Sequence, residues 1–117
     1  MSAQFRKLVA KRTELELSVI GRKSKKELPR PVWFVLKEDL LLLLPVSGRS
    51  TQWYKNLLRD PTVKLKAGSK VFVGKANLET RKEAVKEVVK LFTAKYGSAD
   101  MKKYYETFDV AVEVNLK

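Results

Sequence analysis

Cysteine and histidine are both missing from these 117 residues. Without cysteine there is no disulfide, no thiolate metal site and no thiol nucleophile. Without histidine the commonest general base and metal ligand is gone, and a Ser-His-Asp triad cannot be built. Any chemistry must therefore rest on a bound cofactor, or on lysine, arginine, tyrosine and carboxylates. Glycine (5) and proline (4) are scarce. No stretch rich in them divides the chain, so a single domain over 1–117 is expected. Long apolar runs are also lacking: the longest, Leu40 to Val46, is far too short to span a bilayer. Met1 to Arg12 has no apolar core of a secretory signal, so a cytoplasmic protein is expected. Acidic residues are outnumbered, 13 against 25 Lys and Arg, giving a net charge of +12. That surplus favours an anionic partner: nucleic acid, a membrane surface or a phosphorylated small molecule. The lysines are spread along the chain, which weakens the case for one nucleic-acid patch.

What is present reads as alternating short elements. Phe5, Leu8 and Val9 make the apolar stripe of a short N-terminal helix. Glu14 to Val19 alternates strictly, with Leu15, Leu17 and Val19 inward, and marks a half-buried strand. Gly21 to Pro31 reads as a basic loop. Val32 to Leu36 and Leu40 to Val46 read as two strands of a hairpin across Lys37-Glu38-Asp39. Ser50 or Thr51 can cap a helix from Gln52 to about Arg59, which Pro61 ends. Strands from Val63 and over Val71 to Leu78 flank the Gly68-Ser69 turn. Thr80-Arg81-Lys82-Glu83 matches a capping box before the longest helix, whose apolar stripe ends at Tyr96 and which Gly97 terminates. A short helix over Ser98 to Thr107 and an alternating strand from Val110 to Leu116 complete the chain. The expected class is α+β: a mainly antiparallel, six-stranded barrel with helices at its periphery.

Three places could carry chemistry. Gly21-Arg22-Lys23-Ser24-Lys25-Lys26 follows a strand directly; it offers a guanidinium fork, an ammonium, a hydroxyl and successive backbone N–H groups to an anion. Arg30 could fold back to the same anion. The bland alternative is a solvated basic turn, because the spacing is not that of a Walker loop. Ser47-Gly48-Arg49-Ser50 feeds a helix N-terminus, which attracts anions. Trp53 and Asn56 share one face of that helix and could hold a planar heterocycle, although a core role for Trp53 is the commoner use. Tyr104 and Tyr105 are adjacent, so both cannot face inward on one helix; one should be exposed or line a cleft.

Two of these stretches carry a resemblance. Gly21-Arg22-Lys23-Ser24 with Pro29-Arg30, and Trp53-Tyr54-Lys55-Asn56-Leu57 with Asp60-Pro61-Thr62-Val63, resemble in order and spacing the motifs of the deazaflavin-dependent nitroreductase family. That family has a split β-barrel fold related to pyridoxamine phosphate oxidases. The likeness runs from about Leu15 to Leu78, with Lys25 standing where the family usually has glycine. It implies that Arg22, Lys23 and Ser24 hold the cofactor phosphate with help from Arg30. Ser47 and Gly48 would lie at the ring edge, and Trp53 and Asn56 would close the ring pocket. The cofactor would be the 8-hydroxy-5-deazaflavin coenzyme (coenzyme F-420) or FMN, and it would bring the hydride chemistry. The acceptor would be a quinone-like or nitro-type small molecule touched by Tyr104 or Tyr105, and a homodimer is compatible with the fold. The alternatives are a non-catalytic flavin carrier or sensor of the same fold, and a small basic nucleic-acid-binding protein.

Overall fold

The computed structural model describes residues 2–117. The N-terminal segment forms α1 (Ser2–Val9), with Phe5 and Val9 buried as their spacing requires. β1 (Glu14–Ile20) follows its alternation, with Leu15, Leu17 and Val19 buried.

The next stretch departs from the expected loop. The chain turns over Gly21 to Lys26 and then forms β2 (Glu27–Trp33), paired antiparallel with β1 from Glu14↔Trp33 to Ile20↔Glu27. Pro29 and Pro31 had hidden this strand. Among the described residues β2 has β1 as its single neighbour, and the two prolines alternate, so their missing N–H groups fall on the unpaired edge, where no ladder donor is needed. The strand expected over Val32–Leu36 is interrupted at Phe34: β2 ends at Trp33 and β3 (Val35–Lys37) begins beyond it. β3 makes the expected hairpin with β4 (Leu40–Leu43), with Val35↔Leu42 and Lys37↔Leu40 in register. Among the described residues the count is therefore seven strands, not six.

A 3-10 turn over Gly48–Ser50 leads into α2 (Gln52–Arg59), β5 (Thr62–Ala67), β6 (Lys70–Glu79), α3 (Lys82–Tyr96), α4 (Ser98–Tyr104) and β7 (Ala111–Asn115). Both helix-start signals act differently from expectation. Thr51 is the N-cap residue of α2, but its Oγ1 accepts the Ser47 N–H at 2.8 Å. The capping box does not form, because Arg81 holds the N-cap position of α3. There the Glu79 carboxylate accepts the Arg81 N–H at 3.2 Å and the guanidinium Nη2 at 2.6 Å. α4 stops at Tyr104, short of Thr107; Tyr105 is extended, and Thr107 bridges to Ser47.

The strand order is β2-β1-β5-β6-β7-β4-β3, with antiparallel pairing throughout. β6 belongs to two halves of the sheet. Lys70 to Lys75 pair with β5, and Ala76 to Glu79 pair with β7. The first and last strands in this order, β2 and β3, are consecutive in the chain and separated by Phe34 alone. The result is a curled half-barrel whose split lies at that residue. Inside it sit Leu17, Phe34, Leu41, Leu43, Leu65 and Val112. A second apolar layer, with Leu42, Leu44, Val88, Phe92 and Met101, lies under α3 and α4. β4 is buried on both faces, which is why it reads as an unbroken leucine run. Among the described residues no helix is long and apolar enough to cross a membrane.

Candidate functional site

The basic loop is a closed turn. Lys25 N–H donates to the Gly21 carbonyl and Gly21 N–H to the Lys26 carbonyl, both at 2.9 Å. A Cβ at Gly21 would stand 2.4 Å from Ser24 Oγ and 3.1 Å from Leu28 Cδ1, so a larger residue there would push both side chains aside. Arg22 is held from α2: its backbone N–H donates to Asn56 Oδ1 at 3.1 Å, its Nη1 to the same oxygen at 2.7 Å, and its Nη2 to Gln52 Oε1 at 2.8 Å. Asn56 is buried. Its acceptor therefore serves Arg22, rather than closing a ring pocket directly. Gln52, which sequence reasoning passed over, completes the clamp. Lys23, Ser24 and Lys25 remain exposed.

A cavity of about 410 Å³ is lined by Gly21, Arg22, Lys23 and Ser24 of this loop, Leu28 of β2, and Gln52 and Asn56 of α2. A second, of about 380 Å³, is lined by Arg30, Pro31, Val32 and Trp33 of β2, Glu14, Leu44, Val46, Trp53 of α2, and Tyr104 and Tyr105. The two have no lining residue in common, but β2 and α2 contribute to both. Leu28, Arg30 and Val32 alternate along one face of β2, opposite Val19, Leu17 and Leu15. Across from them, Gln52 and Asn56 serve the first cavity and Trp53 the second. The first cavity is cationic and the second aromatic.

Trp33 organises the aromatic end. It stacks on Tyr96 with centroids 4.2 Å apart and planes 7° from parallel, and meets the edge of Tyr104 at 5.4 Å and the ring of Tyr105 at 6.1 Å. The Tyr96 hydroxyl accepts the Phe34 N–H at 3.1 Å and lies within donating distance of the Thr13 and Phe34 carbonyls, at 2.7 and 2.8 Å. Lys95 Nζ donates to the Phe34 carbonyl at 2.9 Å and lies 3.8 Å from the centre of the Phe34 ring. The residue that splits the barrel is thus pinned by two side chains of α3. Burial pushes the Tyr96 phenol up to about 12 and the Tyr105 phenol higher. Burial also lowers the Lys95 ammonium. Tyr105 is buried while Tyr104 is 49 % exposed, so the adjacent pair divides as expected, yet both line the cavity.

Ser47 and Gly48 line neither cavity. Their N–H groups donate to Thr51 Oγ1 at 2.8 Å and to the Pro45 carbonyl at 3.1 Å. Ser47 Oγ meets Glu106 Oε1 at 2.9 Å. Gly48 takes φ 56°, and a Cβ there would stand 2.0 Å from Asp109 Oδ1. The turn holds Val46 and the start of α2 in position, and its donors are already taken.

The sequence matches, over residues 3–116, the family described as F420H(2)-dependent quinone reductase. The chain belongs to this family. Its members are deazaflavin-dependent oxidoreductases, as the loop and helix motifs led one to expect. Solved structures share the fold. One described as an F420-H2 dependent reductase is 22 % identical, covers 89 % of this chain and 95 % of its own, and superposes with a TM-score of 0.68. A second, described as a domain-swapped dimer, is 22 % identical over 89 % of this chain and 81 % of its own, with a TM-score of 0.69. General Stress Protein 26 from Bacillus anthracis is 14 % identical over 97 % of this chain and 87 % of its own, with a TM-score of 0.70. No curated protein matches the sequence.

Proposed function

We propose that this quinone reductase relative binds its deazaflavin coenzyme across the two cavities, with the anionic part toward Arg22, Lys23 and Ser24 and the ring system toward Trp53. The observation that carries this reading is convergence. Arg22–Ser24, Arg30, Trp53, Asn56 and the Tyr104–Tyr105 pair lie far apart in sequence, yet they line two cavities to which β2 and α2 both contribute. The donor set fits the group: cations and a hydroxyl suit phosphate or carboxylate, and an indole wall suits a flat heterocycle. The coenzyme, when bound, supplies the hydride.

The chain's own residues bind and orient. Asn56 and Gln52 fix the Arg22 fork before any ligand arrives, which lowers the ordering cost of gripping an anion. Arg30 has no ion-pair partner among the described residues and adds a second guanidinium from the β2 wall of the aromatic cavity. Trp33, Tyr104 and Tyr105 form the acceptor wall. Burial keeps the Tyr105 phenol protonated, so it is suited to donate a hydrogen bond to a carbonyl oxygen of a quinone. A nitro-type acceptor would use the same wall. We assign residues 1–117 to one binding domain. The domain-swapped neighbour supports a homodimer as the assembly, which sedimentation at rising protein concentration tests.

Quenching of tryptophan fluorescence tests the cofactor. Saturable quenching by the deazaflavin coenzyme, at lower concentrations than by FMN, is expected. A response to FMN alone, or to neither, would overturn the reading.

A further inference from the structure

The segment between α4 and β7 is fastened to the turn that precedes α2. The Glu106 N–H donates to the Val46 carbonyl at 2.8 Å, and the Thr107 N–H approaches the same oxygen at 3.4 Å. The Ser47 hydroxyl donates to Glu106 Oε1 at 2.9 Å. Asp109 accepts twice from Arg49: Oδ1 from the backbone N–H at 3.1 Å and Oδ2 from Nε at 2.8 Å. Gly48 leaves the space in which that carboxylate sits. From Glu106 to Val110 the chain belongs to neither a helix nor a named strand, so these ties fix its path. What they hold is one wall of the aromatic cavity. Val46 and Tyr105 stand beside the ties, and both line that cavity together with Tyr104. Phe108, between two tied residues, stacks on Tyr105 with ring centroids 5.9 Å apart. The opposite wall, Arg30 to Trp33, is held separately by the β1–β2 ladder.

We propose that Asp109, gripping Arg49 across Gly48, is a positioning residue for the acceptor: it holds Tyr104 and Tyr105 against Trp33 and so sets the shape of the cavity that a flat quinone enters. Asp109 lines neither cavity, so it acts through the wall and not by touching the acceptor. Its two hydrogen bonds are charge-assisted and come from donors of one residue, which fixes direction as well as distance. A wall ordered in advance lowers the cost of binding a rigid ring. On this account the Ser47–Arg49 turn serves the acceptor and not the coenzyme ring. The inference rests on the reading of the aromatic cavity as the acceptor's.

Steady-state reduction of menadione by the reduced deazaflavin coenzyme tests it in the full chain. Asp109→Ala should raise the KM for menadione by about tenfold. A wall that grips ground state and transition state alike shows in KM, so kcat should stay within about twofold of the parent. Affinity for the coenzyme should not change. Asp109→Asn keeps an acceptor for the Arg49 N–H and should restore most of the loss. Arg49→Ala should raise KM less, and its combination with Asp109→Ala should be no worse than Asp109→Ala alone, because both act through one contact. Amide hydrogen exchange reads the wall without turnover: residues 105–109 should exchange faster in Asp109→Ala, with β1 and β5 unchanged. An unchanged KM, additive effects of the two substitutions, or a coenzyme affinity that falls in step with KM would overturn the proposal. Tyr104→Ala separates the two readings. If it raises KM while Asp109→Ala does not, the acceptor cavity stands and the positioning role falls. If it leaves KM unchanged, or the parent does not reduce menadione, the acceptor reading falls and takes this inference with it.

Discussion

Asn56 illustrates how one side chain links loop, helix and cavity. It is buried, and its Oδ1 receives both the backbone and the guanidinium of Arg22. Asn56→Ala removes that acceptor and leaves two donors to find water. The expected cost is about 1–3 kcal/mol of stability, read by urea unfolding, together with weaker coenzyme binding. Unchanged coenzyme affinity would show that Arg22 needs no such fixing. Tyr96 plays the matching part at the barrel split. Tyr96→Phe keeps the stack on Trp33 but deprives the Phe34 N–H of its acceptor, again at about 1–3 kcal/mol. Retained full stability in urea would contradict that role. Neither tie is local, since they span 34 and 62 residues, and so neither could be read from spacing along the chain.

At the scale of elements, the start of α3 carries a pH dependence. Hydrogen bonds from the Arg81 side chain and backbone hold the Glu79 carboxyl down to about 2, against an ordinary 4.5. A group depressed on folding stabilises the native state above its unfolded value and loses that contribution as pH falls through its folded value. Stability should therefore decline between about pH 4.5 and 2. The part of that decline due to this carboxyl should be absent in Glu79→Gln, compared by urea midpoints across that range. An identical decline in both proteins would remove Glu79 from the account. β2 makes a different prediction. Its prolines guard a free edge, so Pro29→Val with Pro31→Val should keep the fold while promoting edge-to-edge association, seen as larger species in size-exclusion chromatography. A variant that stays at the size of the parent would mean that the edge is protected by other means.

For the whole molecule, the strands buried on one face were legible because burial imposes a period of two: Leu15, Leu17 and Val19, and later Val112 and Val114. β2 was not, because an edge strand need bury little and two of its seven residues are prolines. The short break at Phe34 was invisible for a further reason, since it is held by Tyr96 and Lys95 from a distant helix. At the site, the Arg22–Ser24 loop and Trp53 stood out through residue type and a glycine turn. Gln52, Trp33 and Val46 carried no such signal, and Ser47 and Gly48 carried one that the structure uses for internal bonds. The surplus of positive charge acts at this scale too. It draws anionic ligands of any kind, so salt sensitivity alone cannot identify the site.

The most direct test of the central claim uses Arg22→Ala with Lys23→Ala. The double variant and the parent would each be titrated, by tryptophan quenching, with the phosphorylated deazaflavin coenzyme and with its dephosphorylated form. The account predicts a large loss of affinity for the phosphorylated ligand and little change for the other, because these two side chains meet the anion and not the ring. Equal weakening of both, or no weakening of either, would contradict the assignment of the anionic end to this loop.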